Sequence, residues 1–128
     1  MAIHGMNHFN VLTDKLDATR AFYVGVLGFT EGPRPPLGFD GAWLYAGGEP
    51  ILHISEGKLP EDPAGVLDHL AFSASDLEGT VAKLKAKGIP YTLRQQVGTR
   101  IWQIFCHDPC GAKVELDFPP EERSPGSA

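Results

Sequence analysis

The sequence has little cysteine, little positive charge and no long apolar run. It contains two cysteines in 128 residues, and 11 basic against 16 acidic side chains leave a formal net charge of −5. One close cysteine pair does not predict a disulfide framework, and a net negative charge argues against a nucleic-acid partner. No apolar run reaches the roughly 18 residues of a membrane span, so we expect no membrane partner. The opening MAIHGMNHF does not resemble a secretory signal. We therefore predict a soluble, cytoplasmic protein.

The two cysteines, Cys106 and Cys110, flank a short polar stretch, FCHDPCG. Two thiols at this spacing could begin a zinc knuckle, but the second ligand pair of such a site is missing. Proline early in a turn and glycine late in it are typical of a tight connection between strands. We favour the turn with incidental thiols.

A weak internal repeat organises the chain. NHFNVLTDKLDAT and DHLAFSASDLEGT share one offset, which separates His8 from His69, Leu16 from Leu77 and Thr19 from Thr80. Repeats at a fixed period indicate copies of one supersecondary unit, here about 60 residues long. Each copy begins with a histidine in a strand-like run and continues into a polar turn.

Each copy predicts the order βαβββ. In the first, a strand over 6–12 precedes a helix over 16–27 with Asp14 as its N-cap, and then come FTEGPRP, GAWLYAG and PILHIS. In the second, LDHLAFSAS precedes a helix over 76–87, followed by IPYTLRQQ, RIWQIFCH and AKVELDF. We predict an α+β fold with modules at 1–60 and 61–118, a curved mixed sheet around a metal cleft, and a disordered tail at 119–128.

Strand parity identifies candidate metal ligands. In KVELDF, Val114, Leu116 and Phe118 share one apolar face, which leaves Glu115 on the other. A carboxylate in mid-strand on an inner face is costly unless it is paired or binds a metal. His53 follows His8 at almost the same distance along the chain as Glu115 follows His69.

One divalent metal ion is predicted by the four residues that recur with the repeat, His8, His53, His69 and Glu115. Zn, Ni, Fe and Mn are all compatible with imidazole and carboxylate ligands. A lone strand histidine is more often a structural residue, but the repetition with Glu115 favours a metal site. The orientation of His53 stays open, because ILHIS could present either Ile51 and His53 or Leu52 and Ile54 to the cleft.

Four further side chains are candidates for contact with a small-molecule substrate. Gln103 is polar within the apolar run IWQIF, and we expect it to hydrogen bond to a substrate oxygen. Trp43 belongs either to the hydrophobic core or to the cleft. The full set is Asn10, Trp43, Gln103 and Phe105.

Residues 6 to 118 resemble the vicinal oxygen chelate superfamily, which includes glyoxalase I, extradiol dioxygenases and bleomycin-resistance proteins. The resemblance rests on NHFNVLTDKLDATRAFYVGVLGF, DHLAFSASDLEGTVAKLKAKGI and FCHDPCGAKVELDF. It implies that His8, His69 and Glu115 are the metal ligands. It also implies a homodimer and a substrate whose adjacent oxygens chelate the metal.

Among the subgroups, the ligand plan is most similar to that of glyoxalase I, which implies a lyase or isomerase with an optional thiol co-substrate. Where glyoxalase I has a glutamate, this chain has His53, which is then the catalytic base or a fourth ligand. An extradiol dioxygenase is the alternative, but Phe105 replaces its usual tyrosine and its acid-base histidine is missing. A fosfomycin transferase ranks third. A metal-free binding protein is the non-enzyme alternative.

Overall fold

The computed structural model describes residues 5–65 and 67–122. The remainder of the predicted tail, residues 123–128, lies outside this range. The chain divides into two compact units, Met1–Glu61 and Asp62–Ala128.

The first unit is a four-stranded mixed sheet with one helical segment. Strand β1 is parallel to β4, and the other pairings are antiparallel, in the order β1-β4-β3-β2. Its elements are β1 (Phe9–Thr13), α1 (Leu16–Arg20), a π-helical continuation of α1 (Ala21–Val26), β2 (Thr30–Gly32), β3 (Gly41–Ala46) and β4 (Glu49–Glu56).

The second unit repeats this topology. Strand β5 is parallel to β8, and the order is β5-β8-β7-β6. Its elements are β5 (Leu70–Ser73), α2 (Leu77–Ala86), β6 (Thr92–Gln95), β7 (Trp102–His107) and β8 (Lys113–Phe118). The predicted α+β class with two βαβββ modules is confirmed, and each module builds a mixed sheet of its own.

The first helix differs from its prediction in two ways. Lys15, and not Asp14, occupies the N-cap position and makes no side-chain cap. Directly before the helix, the Thr13 hydroxyl accepts from the Lys15 backbone N–H at 2.8 Å and contacts the Thr19 hydroxyl at 2.8 Å. From Ala21 onward the helix widens into π geometry, which periodicity alone does not indicate.

The N-terminus of α2 is closed from two sides. The Asp76 side chain accepts from the Gly79 backbone N–H at 3.0 Å, and a side chain at Gly79 would collide with that carboxylate. Glu122 accepts from the backbone N–H groups of Asp76 (3.1 Å) and Leu77 (2.6 Å). Its own carbonyl accepts from the Trp102 indole at 2.9 Å. Glu122, within the predicted tail, therefore contacts both α2 and β7.

Alternating side chains put the apolar core on one face of each sheet. In β4, Leu52 and Ile54 are 0% and 1% exposed, and in β8 Val114, Leu116 and Phe118 are buried as their parity predicted. The helical segments contribute further buried apolar side chains, namely Phe22, Tyr23, Val26, Leu77, Val81 and Leu84. The opposite faces carry the polar candidate residues. Within the described residues, no helix is both long and apolar enough to span a membrane.

Candidate active site

The two repeat-related histidines precede their strands and do not lie within them. Backbone pairing of β1 begins at Phe9, opposite Leu52, and that of β5 begins at Leu70, opposite Val114. His8 and His69 are thus each one residue ahead of the ladder.

Each of these histidines is held by the residue before it. The Nδ1 atom of His8 lies 2.6 Å from the Asn7 side-chain oxygen, and that of His69 lies 2.8 Å from the Asp68 carboxylate. An oxygen acceptor fixes the proton on Nδ1, so that Nε2 is the nitrogen available as a ligand. Histidines that bind a metal through one ring nitrogen commonly donate the N–H of the other to an oxygen acceptor.

In the second unit the structure brings two predicted ligands together. His69 Nε2 lies 3.2 Å from Glu115 Oε1. Two ligands bound to one ion at metal–ligand distances of about 2.0–2.2 Å are separated by about 3.0–3.4 Å. The pair therefore fits a divalent metal in both donor chemistry and spacing.

Gln103 orients the other oxygen of Glu115. Its side-chain nitrogen donates to Glu115 Oε2 at 3.2 Å, while its side-chain oxygen accepts from Arg94 Nε at 2.9 Å. Because Arg94 can only donate, the amide has one orientation that satisfies both contacts. Gln103 is 5% exposed and was predicted to face a substrate, but it is committed to Glu115 and Arg94.

Asp117 is the second carboxyl group on this face of β8. Burial, followed by hydrogen bonding with Glu115 and its negative charge, raises the pKa of Asp117 to about 6. The buried Oδ1 atom of Asp117 has no hydrogen-bond partner among the described residues. Two neighbouring carboxyls resist simultaneous ionisation, and a cation at Glu115 would relieve this repulsion.

The Asp68 carboxylate contacts both His69 and the Lys113 ammonium group. The hydrogen bond from His69, followed by the charge of Lys113, lowers the pKa of Asp68, whose carboxylate lies 3.5 Å from Lys113 Nζ. A continuous polar chain results, running through Lys113, Asp68, His69, Glu115, Gln103 and Arg94. Both of its ends are positively charged.

In the first unit, three rings stack face to face. His53 lies between His8, at 3.9 Å between centroids, and Trp43, at 4.0 Å, with interplanar angles of 17° and 7°. Imidazole lone pairs lie in the ring plane, so two stacked rings do not direct them at one ion. The observed arrangement thus allows only one of His8 and His53 to be a ligand.

One ring nitrogen of His53 bonds to a backbone carbonyl of its own strand, β4. Its Nε2 donates to the Pro50 carbonyl at 3.1 Å, which leaves Nδ1 as the acceptor of the neutral ring. Burial, followed by the charges of His8 and Arg34, lowers the pKa of His53. The ring is therefore neutral near pH 7, as a proton acceptor must be.

The face of β4 left open by the sequence is settled. Leu52 and Ile54 face the core, and His53 faces the opposite side beside Trp43, which is only half-buried. Asn10 is the register partner of His53 and accepts from the Ser55 hydroxyl at 2.9 Å. A cavity of about 110 Å³ lies here, lined by His8, Asn10, Arg34, Leu37, Phe39, Trp43, His53, Ile54 and Ser55.

A larger cavity, of about 620 Å³, lies in the second unit. The rings of Phe105 and His69 meet edge to face in it, with centroids 6.4 Å apart. Its lining residues are Asp68, His69, Pro90, Tyr91, Thr92, Arg94, Phe105, His107, Lys113 and Glu115. Such a volume suits a small-molecule ligand.

A turn follows Cys106, the last buried residue of β7, and includes Cys110. Asp108 Oδ1 accepts from the backbone N–H groups of Cys110 and Ala112, both at 2.9 Å. Cys106 is buried, and that burial raises its pKa to about 11, which makes it a poor ligand and nucleophile.

No cluster of three or more His, Cys, Asp or Glu side chains with metal-binding geometry occurs within residues 5–65 and 67–122. The predicted ligands belong to different units, with His8 in the first and His69 and Glu115 in the second. Their assembly into one site stays a prediction.

The sequence interpretation missed Asp68, Lys113 and the hydrogen bond from Arg94 to Gln103. A signal for Asp68 was present, because the repeat places Asn7 and Asp68 at equivalent positions directly before the two histidines. Arg94 and Lys113 gave no such signal, since their relation to Glu115 depends on cross-strand register.

Comparison with known proteins decides the family. A model described as the Glyoxalase/Bleomycin resistance protein/Dioxygenase superfamily matches residues 5–116. The chain belongs to this superfamily. It is 35% identical over 119 residues to "Glyoxylase I 4" of Arabidopsis thaliana, covering 87% of this chain and 68% of that protein.

Solved structures share the superfamily fold. A glyoxalase/dioxygenase from Nostoc punctiforme superposes with a TM-score of 0.78 at 21% identity, over 91% of this chain and 92% of its own. Lactoylglutathione lyase from Agrobacterium tumefaciens superposes with a TM-score of 0.68 at 19% identity, over 92% of this chain and 96% of its own. Superfamily members generally use a divalent metal and act on small molecules.

Proposed function

We propose that the chain is a divalent-metal-dependent enzyme of the glyoxalase I type, a lyase or isomerase acting on a small molecule with adjacent oxygen atoms. The observation that carries this proposal is the His69–Glu115 pair at 3.2 Å, with the carboxylate of Asp68 behind the histidine. The 35% identical relative named Glyoxylase I 4 supports the reaction class.

The proposed ligands are His8, His69 and Glu115, which supply two imidazole nitrogens and one carboxylate oxygen. These donors suit Zn, Ni, Fe and Mn. His8 would join the other two either within one chain or across a homodimer. When bound, the metal would act as a Lewis acid that polarises substrate oxygens.

His53 is proposed as the catalytic base and not as a fourth ligand, because its ring stacks on that of His8. The neutral ring accepts a proton from the substrate carbon at Nδ1 and returns it to the neighbouring carbon. Trp43 on its other face limits rotation of the ring, and the Pro50 carbonyl stabilises the protonated form through Nε2.

The substrate contacts divide between the units. Asn10 and Trp43 line the cavity around His53, and Phe105 lines the cavity around Glu115. Gln103 donates to Glu115 and so positions a ligand, and its contact with a substrate oxygen stays part of the proposal. Phe105 has no hydroxyl group, which disfavours the dioxygenase alternative.

The test combines metal analysis with two activity screens. Protein purified without chelator or nickel resin is analysed for bound metal, then assayed for lyase activity on the methylglyoxal–glutathione hemithioacetal and for oxygen uptake with catechols. We expect close to one metal per chain and lyase activity, both lost in Glu115→Gln. Glu49→Gln, an exposed residue of β4, is the matched control and keeps both.

Oxygen uptake without lyase activity would replace the proposal with the dioxygenase. No metal, and none taken up on reconstitution, would favour a metal-free binding protein. The homodimer and the cytoplasmic location are part of the proposal, and sedimentation of the metal-loaded protein tests the first.

A further inference from the structure

We propose that Arg94, Lys113 and Phe105 form an anion subsite in the larger cavity, which selects substrates that carry a carboxylate, sulfonate or phosphonate group beside a flat apolar portion. This inference deepens the proposed function by naming a substrate class. The subsite itself belongs entirely to the second unit.

The first observation is that two cations share one aromatic ring. Arg94 Cζ lies 5.2 Å and Lys113 Nζ lies 5.3 Å from the Phe105 ring centroid. Cross-strand register explains this arrangement, because Phe105 is opposite Glu115, while Arg94 and Lys113 lie one same-face step away in opposite directions along the strands. The cations therefore flank the ring.

The second observation is that Arg94 keeps most of its donors. Within the described residues it makes one hydrogen bond, from Nε to the neutral Gln103 amide, and no ion pair. Its two terminal nitrogens retain the fork that matches an oxyanion. Arg20, by contrast, pairs with Asp17 and Glu31.

The third observation concerns the charge balance of the cavity. Its lining includes two cations, Arg94 and Lys113, and two carboxylates, Asp68 and Glu115. A divalent metal on His69 and Glu115 leaves the cavity with excess positive charge. Such a site attracts an anion.

The Phe105 ring favours a ligand with a flat apolar portion. It is half-buried, forms the apolar part of the lining and meets His69 edge to face at 6.4 Å. A flat apolar group packs on such a ring, while an acid group beside it reaches Arg94 or Lys113. The same ligand can then extend an oxygen toward the His69–Glu115 pair.

The test uses benzenesulfonate, an anion that is a weak metal ligand, and methyl phenyl sulfone as its neutral counterpart. Binding is followed by NMR shift titration of ¹⁵N-labelled protein, both metal-free and zinc-loaded. We expect the sulfonate to bind and the sulfone to bind at least tenfold more weakly. Affinity for the sulfonate should fall when sodium chloride is raised.

Three variants locate the subsite. Arg94→Gln should weaken sulfonate binding about tenfold, and Arg94→Lys should restore part of it. Arg100→Gln, in the turn after β6 and outside the cavity lining, is the control and should change affinity less than twofold. Circular dichroism verifies that all three are folded.

Equal binding of sulfonate and sulfone, or affinity unchanged by both Arg94→Gln and Lys113→Gln, would overturn the inference. A failure of the proposed function gives a different combination of zinc and sulfonate binding. If zinc does not bind but Arg94-dependent sulfonate binding persists, the subsite stands and the metalloenzyme does not. If zinc binds and neither Arg94→Gln nor Lys113→Gln changes sulfonate affinity, the opposite holds.

Discussion

His69 and Glu115 lie 3.2 Å apart through Nε2 and Oε1, although one precedes β5 and the other is in the middle of β8. The parallel pairing of these strands brings them together, since Ala71 is the register partner of Glu115. His69, two residues earlier, reaches the carboxylate from the same face. Neighbouring side chains then fix each member of the pair.

The Gln103 amide is the first of these supports. Gln103→Leu removes the donor to Glu115 Oε2 and leaves the Arg94 Nε without its acceptor. Because outer contacts of this kind tune ligand geometry, we expect the zinc dissociation constant to rise about 10- to 100-fold. Competition with a chromogenic chelator measures it. Gln95→Leu, also in the hairpin but bonded to Arg100, serves as the control, and equal affinities for both variants and wild type would contradict the role.

Asp68 is the corresponding support for His69. Asp68→Ala deletes the acceptor at Nδ1, whereas Asp68→Asn retains an oxygen there, as Asn7 does for His8. We expect the alanine variant to lose about tenfold or more in zinc affinity and the asparagine variant to lose clearly less. Calorimetric titration of both variants measures the difference. Identical losses would show that the negative charge matters and the hydrogen bond does not.

The sequence predicted those parts of the molecule that follow from periodicity. The repeat predicted both modules, and parity predicted the buried Val114, Leu116 and Phe118 with Glu115 on the other face. The sequence did not predict the Arg94–Gln103–Glu115 contacts, which depend on the register across β6, β7 and β8. Nor could it predict the stacking of His53, because ring orientation depends on neighbours distant in sequence.

Asp117 should make the stability of the metal-free protein depend on pH. Its folded pKa of about 6 lies above the ordinary value of 3.8, so its contribution to folding is complete below about pH 4 and is lost as pH rises through 6. Asp117→Asn removes the cost of ionisation. We expect it to stabilise the protein by roughly 1–3 kcal/mol at pH 8 and by little at pH 4.

Urea unfolding with EDTA at both pH values measures this effect. The exposed Asp40 provides the control, since Asp40→Asn should have a small effect that is similar at pH 4 and pH 8. A stabilisation by Asp117→Asn of the same size at both pH values would mean that the charge of Asp117 is not its cause.

The segment after β8 contributes to stability through Glu122. Its carboxylate accepts from the backbone N–H groups of Asp76 and Leu77, where α2 begins and where a helix leaves its donors unsatisfied. Glu122→Ala should therefore lower the free energy of unfolding by about 1–2 kcal/mol. Glu121→Ala, an exposed neighbour with the same chemistry, should change it by less than about 0.5 kcal/mol.

Chemical denaturation of the three proteins at pH 7 measures both effects. Glu122→Gln separates charge from geometry, since its amide oxygen can still accept one hydrogen bond and should recover part of the loss. If Glu122→Ala and Glu121→Ala have equal stabilities, the contact does not hold α2.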